Sequence, residues 1–171
     1  MQLQTIFMKA RCAVPLTLAA LGFTAHAHLQ LIEPQATAGS NYKATLRVGH
    51  GCAGSATTGL VLTLPEGFRA VKPQAKVGWV VSIRHDTTLE VRWRAATPEA
   101  ALPDDQFDEF AVLARVPEQP GPVWLKVLQT CVQGQHDWSE VPTSGASTQN
   151  LKSPAVLLDI QPATHSHSHL H

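Results

Sequence analysis

The stretch "TTLEVRWRA", residues 87–95, decides the fold class of this chain. Its apolar side chains at Leu89, Val91 and Trp93 alternate with a glutamate and an arginine. Successive side chains of a β-strand point to opposite faces, so this alternation is typical of a strand with one buried and one solvated face. We therefore predict a half-buried β-strand here.

About nine stretches of this kind occur along the chain, each rich in Val, Leu, Thr and aromatic residues. Gly and Pro clusters separate them, and no segment of useful length has the helical period of 3.6. The other stretches are "HLQLIE" (28–33), "YKATLRVG" (42–49), "TTGLVLTLP" (57–65), "WVVSIRHD" (79–86), "FDEFAVLARVP" (107–117), "PVWLKVLQTCV" (122–132), "HDWSEVP" (136–142) and "PAVLLDI" (154–160). So many short strands in one chain predict an all-β protein, an antiparallel β-sandwich formed as a single domain by residues 28–161.

The first 27 residues have the pattern of a secretory signal peptide. Two basic residues precede an apolar run from Cys12 to Phe23, and the small-residue site "AHA" ends at Ala27. Cleavage after Ala27 makes His28 the first residue of the mature chain. No later apolar run approaches the roughly 18 residues that a spanning helix needs. We expect an exported, soluble protein without a membrane anchor, most simply in the periplasm.

Charge and sulfur content limit the classes of partner. The chain has 13 basic and 13 acidic residues, so it lacks the positive surface typical of proteins that bind nucleic acid or anionic membranes. Of its three cysteines, only Cys52 and Cys131 follow the leader. In an oxidising compartment such a pair predicts a disulfide, and the C-x-x-C spacing of a cysteine metal site is absent.

Four blocks of the sequence together resemble the YcnI-like copper-binding domain family. They are "HGCAGSATTGLVLTLPEGFRAVKPQAKVGW" (50–79), "LPDDQFDEF" (102–110), "QTC" (129–131) and "HDWSEVP" (136–142). The resemblance implies a cupredoxin-like or immunoglobulin-like sandwich and a mononuclear Cu(II) site on the first mature histidine. It also implies a carrier, buffer or chaperone in copper homeostasis, with no reaction of its own and with other periplasmic copper proteins as partners.

His28 is the central candidate ligand. An N-terminal histidine offers an α-amine and an imidazole nitrogen from one residue, so two bonds form when one side chain is ordered. Nitrogen donors in tetragonal geometry suit Cu(II), and both groups are readily available near neutral pH. The alternative is that His28 is only a polar residue that follows a cleavage site.

Two adjacent carboxylates are further candidates. In a strand, Phe107 and Glu109 share one face while Asp108 and Phe110 share the other, so at most one carboxylate points at a given site. The family resemblance favours Glu109 as the ligand, with Asp108 second. The alternative is that both only keep an edge strand soluble.

Trp138 corresponds to the tryptophan that the family has at its copper site. Its indole nitrogen is a donor only, so its role would be to pack over an open face of the metal. Glu140, two residues further on the same strand face, is an additional candidate ligand. The other tryptophans, Trp79, Trp93 and Trp124, are expected in the core.

The C-terminal segment 162–171 is a histidine-rich tail that cannot build a core. Alternating histidines in a flexible chain bind divalent metals loosely, and the alternative is an unstructured terminus without a role. Its histidines are His165, His167, His169 and His171.

Two other functions remain open. A copper-dependent oxidative enzyme of the histidine-brace type needs a second histidine, for which His50, His85 and His136 are the candidates inside the domain. Of these, His50 is expected to be a turn residue beside the disulfide. A metal-free interaction sandwich is the third class. No G-x-S-x-G turn and no phosphate-binding glycine loop occur.

Overall fold

Alternating and apolar stretches of the sequence form the strands of two packed sheets. The computed structural model describes residues 29–163, and in that range it contains eleven strands, one short 3₁₀ turn at Pro98–Ala100 and no α-helix. The strands are β1 (Gln30–Leu31), β2 (Gln35–Thr37), β3 (Asn41–Val48), β4 (Thr57–Leu64), β5 (Arg69–Pro73), β6 (Trp79–His85), β7 (Leu89–Ala95), β8 (Asp108–Arg115), β9 (Gly121–Cys131), β10 (Gln135–Trp138) and β11 (Val156–Gln161). Within residues 29–163 there is no helical segment that could span a lipid bilayer.

The strands form a β-sandwich, which confirms the predicted fold class. The first sheet has the order β1-β3-β8-β5, and the second has the order β2-β11-β9-β4-β7-β6. β10 pairs with the half of β9 that β11 leaves uncovered. All pairs are antiparallel except β2 with β11, which is parallel. The predicted antiparallel sandwich is therefore present, with one short parallel pair at the edge of the second sheet.

The core lies between the two sheets and is built on aromatic and branched aliphatic side chains. Trp93 of β7 and Phe110 of β8 are almost fully buried, and their rings meet edge to face with centroids 5.8 Å apart. Trp79 is half-buried and also packs against Phe110. The expectation of a core position therefore holds best for Trp93, while Trp124 is only half-buried.

Two strands were not predicted because their sequences lack a clear alternation. β2 has only three residues. β5 ends at Pro73, and its register with β8 shifts between Arg69 and Lys72, where Ala70 has a φ of 51°. Proline and an irregular register are typical of sheet edges, which is where both strands lie.

The predicted disulfide is present between Cys52 and Cys131, whose Cα atoms are 5.9 Å apart. Cys52 lies in the loop between β3 and β4, and Cys131 is the last residue of β9. The bond therefore fixes the loop that crosses from the first sheet to the second against the end of β9, at one end of the sandwich. The candidate site lies beside it.

Candidate functional site

Three rings from two distant segments meet at the disulfide end of the sandwich. The rings of His50 and His136 have centroids 6.0 Å apart and lie nearly perpendicular, at 82°. Trp138 contacts both, with centroids 6.5 Å from His50 and 5.4 Å from His136. We call these three residues the ring cluster.

Strand β10 presents two members of the ring cluster on one face. A tight turn at Gly134, with a φ of 78°, returns the chain after β9, and the backbone N–H of Cys131 donates to its carbonyl. His136 then lies opposite Gln129, and Trp138 lies opposite Val127. Since residues two apart in a strand share a face, both rings point to the side on which Gln129 and Val127 are buried.

The third ring, His50, is held by its own loop. Its Nδ1 lies 2.6 Å from the carbonyl oxygen of Gly51, and because a carbonyl only accepts, Nδ1 must donate. The neutral ring therefore carries its lone pair on Nε2. The backbone N–H of Gly51 donates in turn to Asp104 Oδ1 at 2.9 Å. A Cβ on Gly51 would lie 1.9 Å from the carbonyl oxygen of Ser55, so this turn requires glycine.

The buried side chain of Gln129 connects the loop of His50 with Trp138 through hydrogen bonds. It is 1% exposed, and its amide nitrogen donates to the carbonyl oxygen of His50 and to Thr57 Oγ1, each at 2.8 Å. Its amide oxygen accepts the indole N–H of Trp138 at 3.2 Å. A buried polar group is tolerated when it is hydrogen-bonded, and here both N–H groups and the oxygen of the amide have partners.

Trp138 is both a core residue and a wall of the site. Only 5% of it is exposed, and it belongs to the hydrophobic core between the sheets. Its indole N–H is directed to Gln129, which fixes the ring beside the two imidazoles. The placement is compatible with the packing role that the resemblance implies.

The acidic candidates lie in the other sheet, on β8. Glu109 is exposed and forms an ion pair of 2.8 Å with Arg47, its cross-strand neighbour on β3. Asp108 forms an ion pair of 2.6 Å with Lys76. The two side chains point to opposite faces, as expected, with Phe110 buried on the side of Asp108. In residues 29–163 no three His, Cys, Asp or Glu side chains form a group that could hold a metal ion.

Glu140 and His85 have other surroundings. Glu140 Oε2 accepts backbone N–H groups of Lys152 and Ser153 at 2.8 and 3.1 Å, so it anchors the polar loop that precedes β11. His85 is exposed at the end of β6, an edge strand of the second sheet. The structure therefore brings His50 and His136 together and leaves His85 apart.

The signal peptide, His28 and the tail histidines His165, His167, His169 and His171 lie outside the described residues. The described chain begins at Leu29, and β1 pairs with β3 through Gln30 opposite Arg47 and Leu31 opposite Leu46. The pairing is antiparallel, so the start of β1 lies toward the end of β3. β3 continues from there to His50 and the ring cluster.

The pairing of His50 with His136 was missed in the sequence. His50 lies in a loop beside the disulfide, as expected for a turn residue, but its ring also faces β10. The sequence signal was the cysteine pair itself, because Cys52 follows His50 by two residues and Cys131 precedes the hairpin that carries His136. Applying the predicted disulfide as a distance restraint would have brought the two histidines close.

Known proteins support the fold and the family. No curated protein matches the chain. An uncharacterized protein from Nocardia farcinica with an immunoglobulin-like fold is 24% identical, and the likeness covers 78% of this chain and 97% of that one with a TM-score of 0.67. A non-cellulosomal cohesin from Archaeoglobus fulgidus is 12% identical over 84% of this chain and 98% of its own, with a TM-score of 0.43.

Of the two sandwich types expected, the Nocardia structure supports the immunoglobulin-like one. Residues 28–160, which include ten strands, all but the last residue of β11 and all three residues of the ring cluster, match a family model described as "Domain of unknown function (DUF1775)". The YcnI-like domains, to which the four sequence blocks are similar, carry the same description. The chain therefore belongs to the DUF1775 family.

Proposed function

We propose that this protein is an exported copper(II)-binding protein that carries or buffers copper, with a mononuclear site built on His28. The observation that carries the proposal is the convergence at one end of the sandwich. The start of β1, the loop after β3 and the hairpin of β9 and β10 lie at that end, and the last two bring His50, His136 and Trp138 together. His28 is joined to Leu29, and consecutive Cα atoms are about 3.8 Å apart.

The donor chemistry favours Cu(II) over Cu(I). The α-amine and imidazole of His28 are nitrogen donors, which suit the tetragonal preference of Cu(II). Cu(I) is selected by thiolate and thioether ligands. Both methionines of the chain lie in the predicted leader, and both mature cysteines are in the disulfide. The mature chain therefore offers nitrogen and oxygen donors but no soft sulfur donor.

Glu109 is the acidic side chain that we propose for this site. Arg47 lies between Gln30 of β1 and Glu109 of β8 in one cross-strand row, so Glu109 is two strands, or about 10 Å, from the backbone of β1. Arg47 donates to Oε1 alone, so Glu109 can bind a metal through Oε2 or exchange Arg47 for the metal. This exchange is inexpensive because the pair is exposed, and such pairs contribute about 0–1 kcal/mol. Asp108 is the second candidate.

The export route and the tail belong to the same proposal. Cleavage after Ala27 in the periplasm creates the α-amine on which the chelate depends. The histidine-rich tail would capture copper weakly and pass it to the folded domain. Trp138 would shield one face of the metal from water, since its ring is fixed by Gln129.

A copper titration of the processed protein tests the proposal. The mature chain that begins at His28 should bind one tight equivalent of Cu(II) in competition with a chelator of known affinity, and it should bind Cu(I) less tightly. Mass spectrometry of the exported protein should find His28 as the first residue. Failure to bind Cu(II), or a mature chain that begins elsewhere, contradicts the proposal.

A copper-dependent oxidative enzyme is the second candidate, favoured by the two additional imidazoles at the proposed site. Such an enzyme should cleave a polysaccharide when the copper-loaded protein is given a reductant and oxygen or peroxide. The carrier that we propose should produce no new chain ends under the same conditions.

A further inference from the structure

We infer that an open groove on the outer face of the second sheet binds a small carboxylate with an apolar body, such as a medium-chain fatty acid. The groove has a volume of about 660 Å³ and lies over β4, between the end of β9 and the end of β7 with the loop that follows it. We call it the outer groove, and its lining includes Gly59, Val61, Arg92, Arg94, Pro98 and Val132. It is separate from the proposed copper site, because His136 and Trp138 lie on the inner face of the same sheet.

A missing side chain at Gly59 opens the floor of the outer groove. Gly59 lies inside β4, in one cross-strand row between Arg94 of β7 and Thr130 of β9. A Cβ at this position would lie 3.5 Å or more from its neighbours, and the φ of Gly59 is not positive, so the fold does not require glycine here. The register with β9 shifts between Thr57 and Gly59, but a bulge without a positive φ does not itself need glycine. Glycine inside a strand is also typical of a place where a ligand approaches the backbone, which is the role that we assign to Gly59.

The charge of the outer groove is positive. Among residues 29–163 its lining includes Arg92 and Arg94 and no Asp or Glu. Arg92 is ion-paired with Glu90, which does not line the groove. Arg94 is exposed, and of the arginines in the described range it is the one without a carboxylate partner, since its Nη1 donates only to the carbonyl oxygen of Ala95 at 3.3 Å. A guanidinium matches a carboxylate through two parallel N–H groups, so Arg94 favours an anion of that geometry.

The apolar walls of the outer groove fit the body of such an acid. Val61 lies opposite Arg92, one cross-strand row beyond Gly59, and extends the floor. Val132 is 66% exposed after the end of β9, and Pro98 in the 3₁₀ turn forms part of the opposite wall. Ligand pockets combine a mostly apolar lining with a few placed polar groups. A hydrocarbon chain buried against these walls therefore supplies the hydrophobic free energy, while the arginine orients the carboxylate.

A titration of the full mature chain with octanoate, followed by ¹H–¹⁵N spectra, tests the inference. We expect the amide signals of Gly59, Arg94 and Val132 to shift together and saturate with one dissociation constant. Octylamine, which has the same chain and the opposite charge, should bind about tenfold more weakly or worse, and so should acetate, which lacks the apolar body. Unchanged signals with octanoate, or equal binding of octanoate and octylamine, would overturn the inference. If only a peptide with a free C-terminal carboxylate shifts these signals, the groove binds a protein partner and the small-molecule inference is wrong.

Variants assign the binding to the outer groove. Gly59→Val should abolish octanoate binding and leave the urea midpoint unchanged or higher, because a β-branched residue suits a strand and the added Cβ has room. Arg94→Gln should weaken octanoate binding by about tenfold or more. The matched control is Arg84→Gln, at an exposed ion-paired arginine of β6 outside the groove, which should leave binding unchanged.

If either Gly59→Val or Arg94→Gln folds and binds octanoate like the parent, the inference is overturned. Cu(II) binding should be unchanged in all three variants, because none of these residues belongs to the proposed copper site. Loss of octanoate binding with intact Cu(II) binding therefore supports the outer groove as a separate site. Failure of the parent chain to bind Cu(II) contradicts the proposed function alone.

Discussion

Gln129 accepts the indole N–H of Trp138 at 3.2 Å and, through its amide nitrogen, donates to the backbone carbonyl of His50 at 2.8 Å. One buried side chain thus fixes a ring of β10 and the loop that leads from β3 in the first sheet to β4 in the second. The position of the ring cluster depends on this amide.

Replacing Gln129 by Leu should lower the free energy of unfolding by roughly 2–5 kcal/mol. The change leaves the carbonyl of His50, the hydroxyl of Thr57 and the indole N–H of Trp138 without their buried partner, and each such loss costs about 1–3 kcal/mol. Urea denaturation measures the effect. The matched control is Gln135→Leu, at an exposed position of β10, which should change stability by about 0.5 kcal/mol or less. Equal effects of the two variants would contradict the role of Gln129.

Loss of the disulfide should both destabilise the domain and release the loop of His50. Cys52 and Cys131 are 79 residues apart in sequence, so chain entropy predicts a stabilisation of about 4 kcal/mol. The variant Cys52→Ala/Cys131→Ala should unfold at lower urea concentration than the parent protein. Its amides in the loop of His50 should also exchange hydrogen faster. A thiol titration that finds two reactive groups in the native oxidised protein would be inconsistent with the bond.

The only tyrosine of the chain gives a test of the core at high pH. Burial, and to a lesser degree the charge of Glu33, raise the pKa of Tyr42 from 10.0 to about 12, and its hydroxyl donates to the carbonyl of Glu33. The folded protein therefore keeps a proton that the unfolded chain releases. This contribution to stability is fully present below pH 10 and is lost as the pH rises through about 12.

Ultraviolet titration of the phenolate should give a pKa near 12 for the folded protein and near 10 in urea. In Tyr42→Phe the hydroxyl is absent, so the stability difference between parent and variant should shrink over the same pH interval. A native pKa near 10 would show that the hydroxyl is not buried as described.

Period-two patterns explain which strands could be predicted. β7 alternates along its length and β8 contains a continuous apolar run, so the location of both strands followed from the sequence. The opposite facing of Asp108 and Glu109 followed from the two-residue period of a strand. β2 and β5 were missed because a three-residue strand and a proline-terminated one have no readable period. The local sequence pattern is therefore enough to predict a strand only where that strand is long and half-buried.

The candidate site was less predictable because it joins segments that are distant in sequence. The shared face of His136 and Trp138 is a local property, and two-residue spacing predicts it. The contact of His50 with these two rings depends on how the sheets stack and on the hydrogen bonds of Gln129. Neither of these can be read from a local sequence pattern. Only the predicted disulfide carried information about that contact.

Glu109→Gln should weaken Cu(II) binding by about tenfold, because it keeps the shape of the side chain and removes the charge that would bind the ion. The free energy of unfolding should fall by less than about 1 kcal/mol, since the pair with Arg47 is exposed. Competition titration with a Cu(II) chelator measures the affinity. The matched control is Glu118→Gln, which removes another exposed carboxylate, ion-paired with Arg115 and Arg69. If both variants bind copper like the parent, Glu109 is not a ligand.

We propose that the α-amine and imidazole of His28 hold the copper. Adding one residue before His28 converts the amine to an amide, a poor ligand at neutral pH, and leaves the imidazole in place. Deleting residues 162–171 removes four imidazoles from a chain that must lose entropy on binding. Neither change touches the folded core.

The decisive measurement is the Cu(II) affinity and electron paramagnetic resonance spectrum of these two variants beside the parent mature chain. We predict that the extended N-terminus loses the tight site and changes the spectrum, whereas the tail deletion loses only weak equivalents. An extended protein that keeps the parent affinity and spectrum, together with a tail deletion that abolishes tight binding, would contradict the account and assign the copper site to the tail.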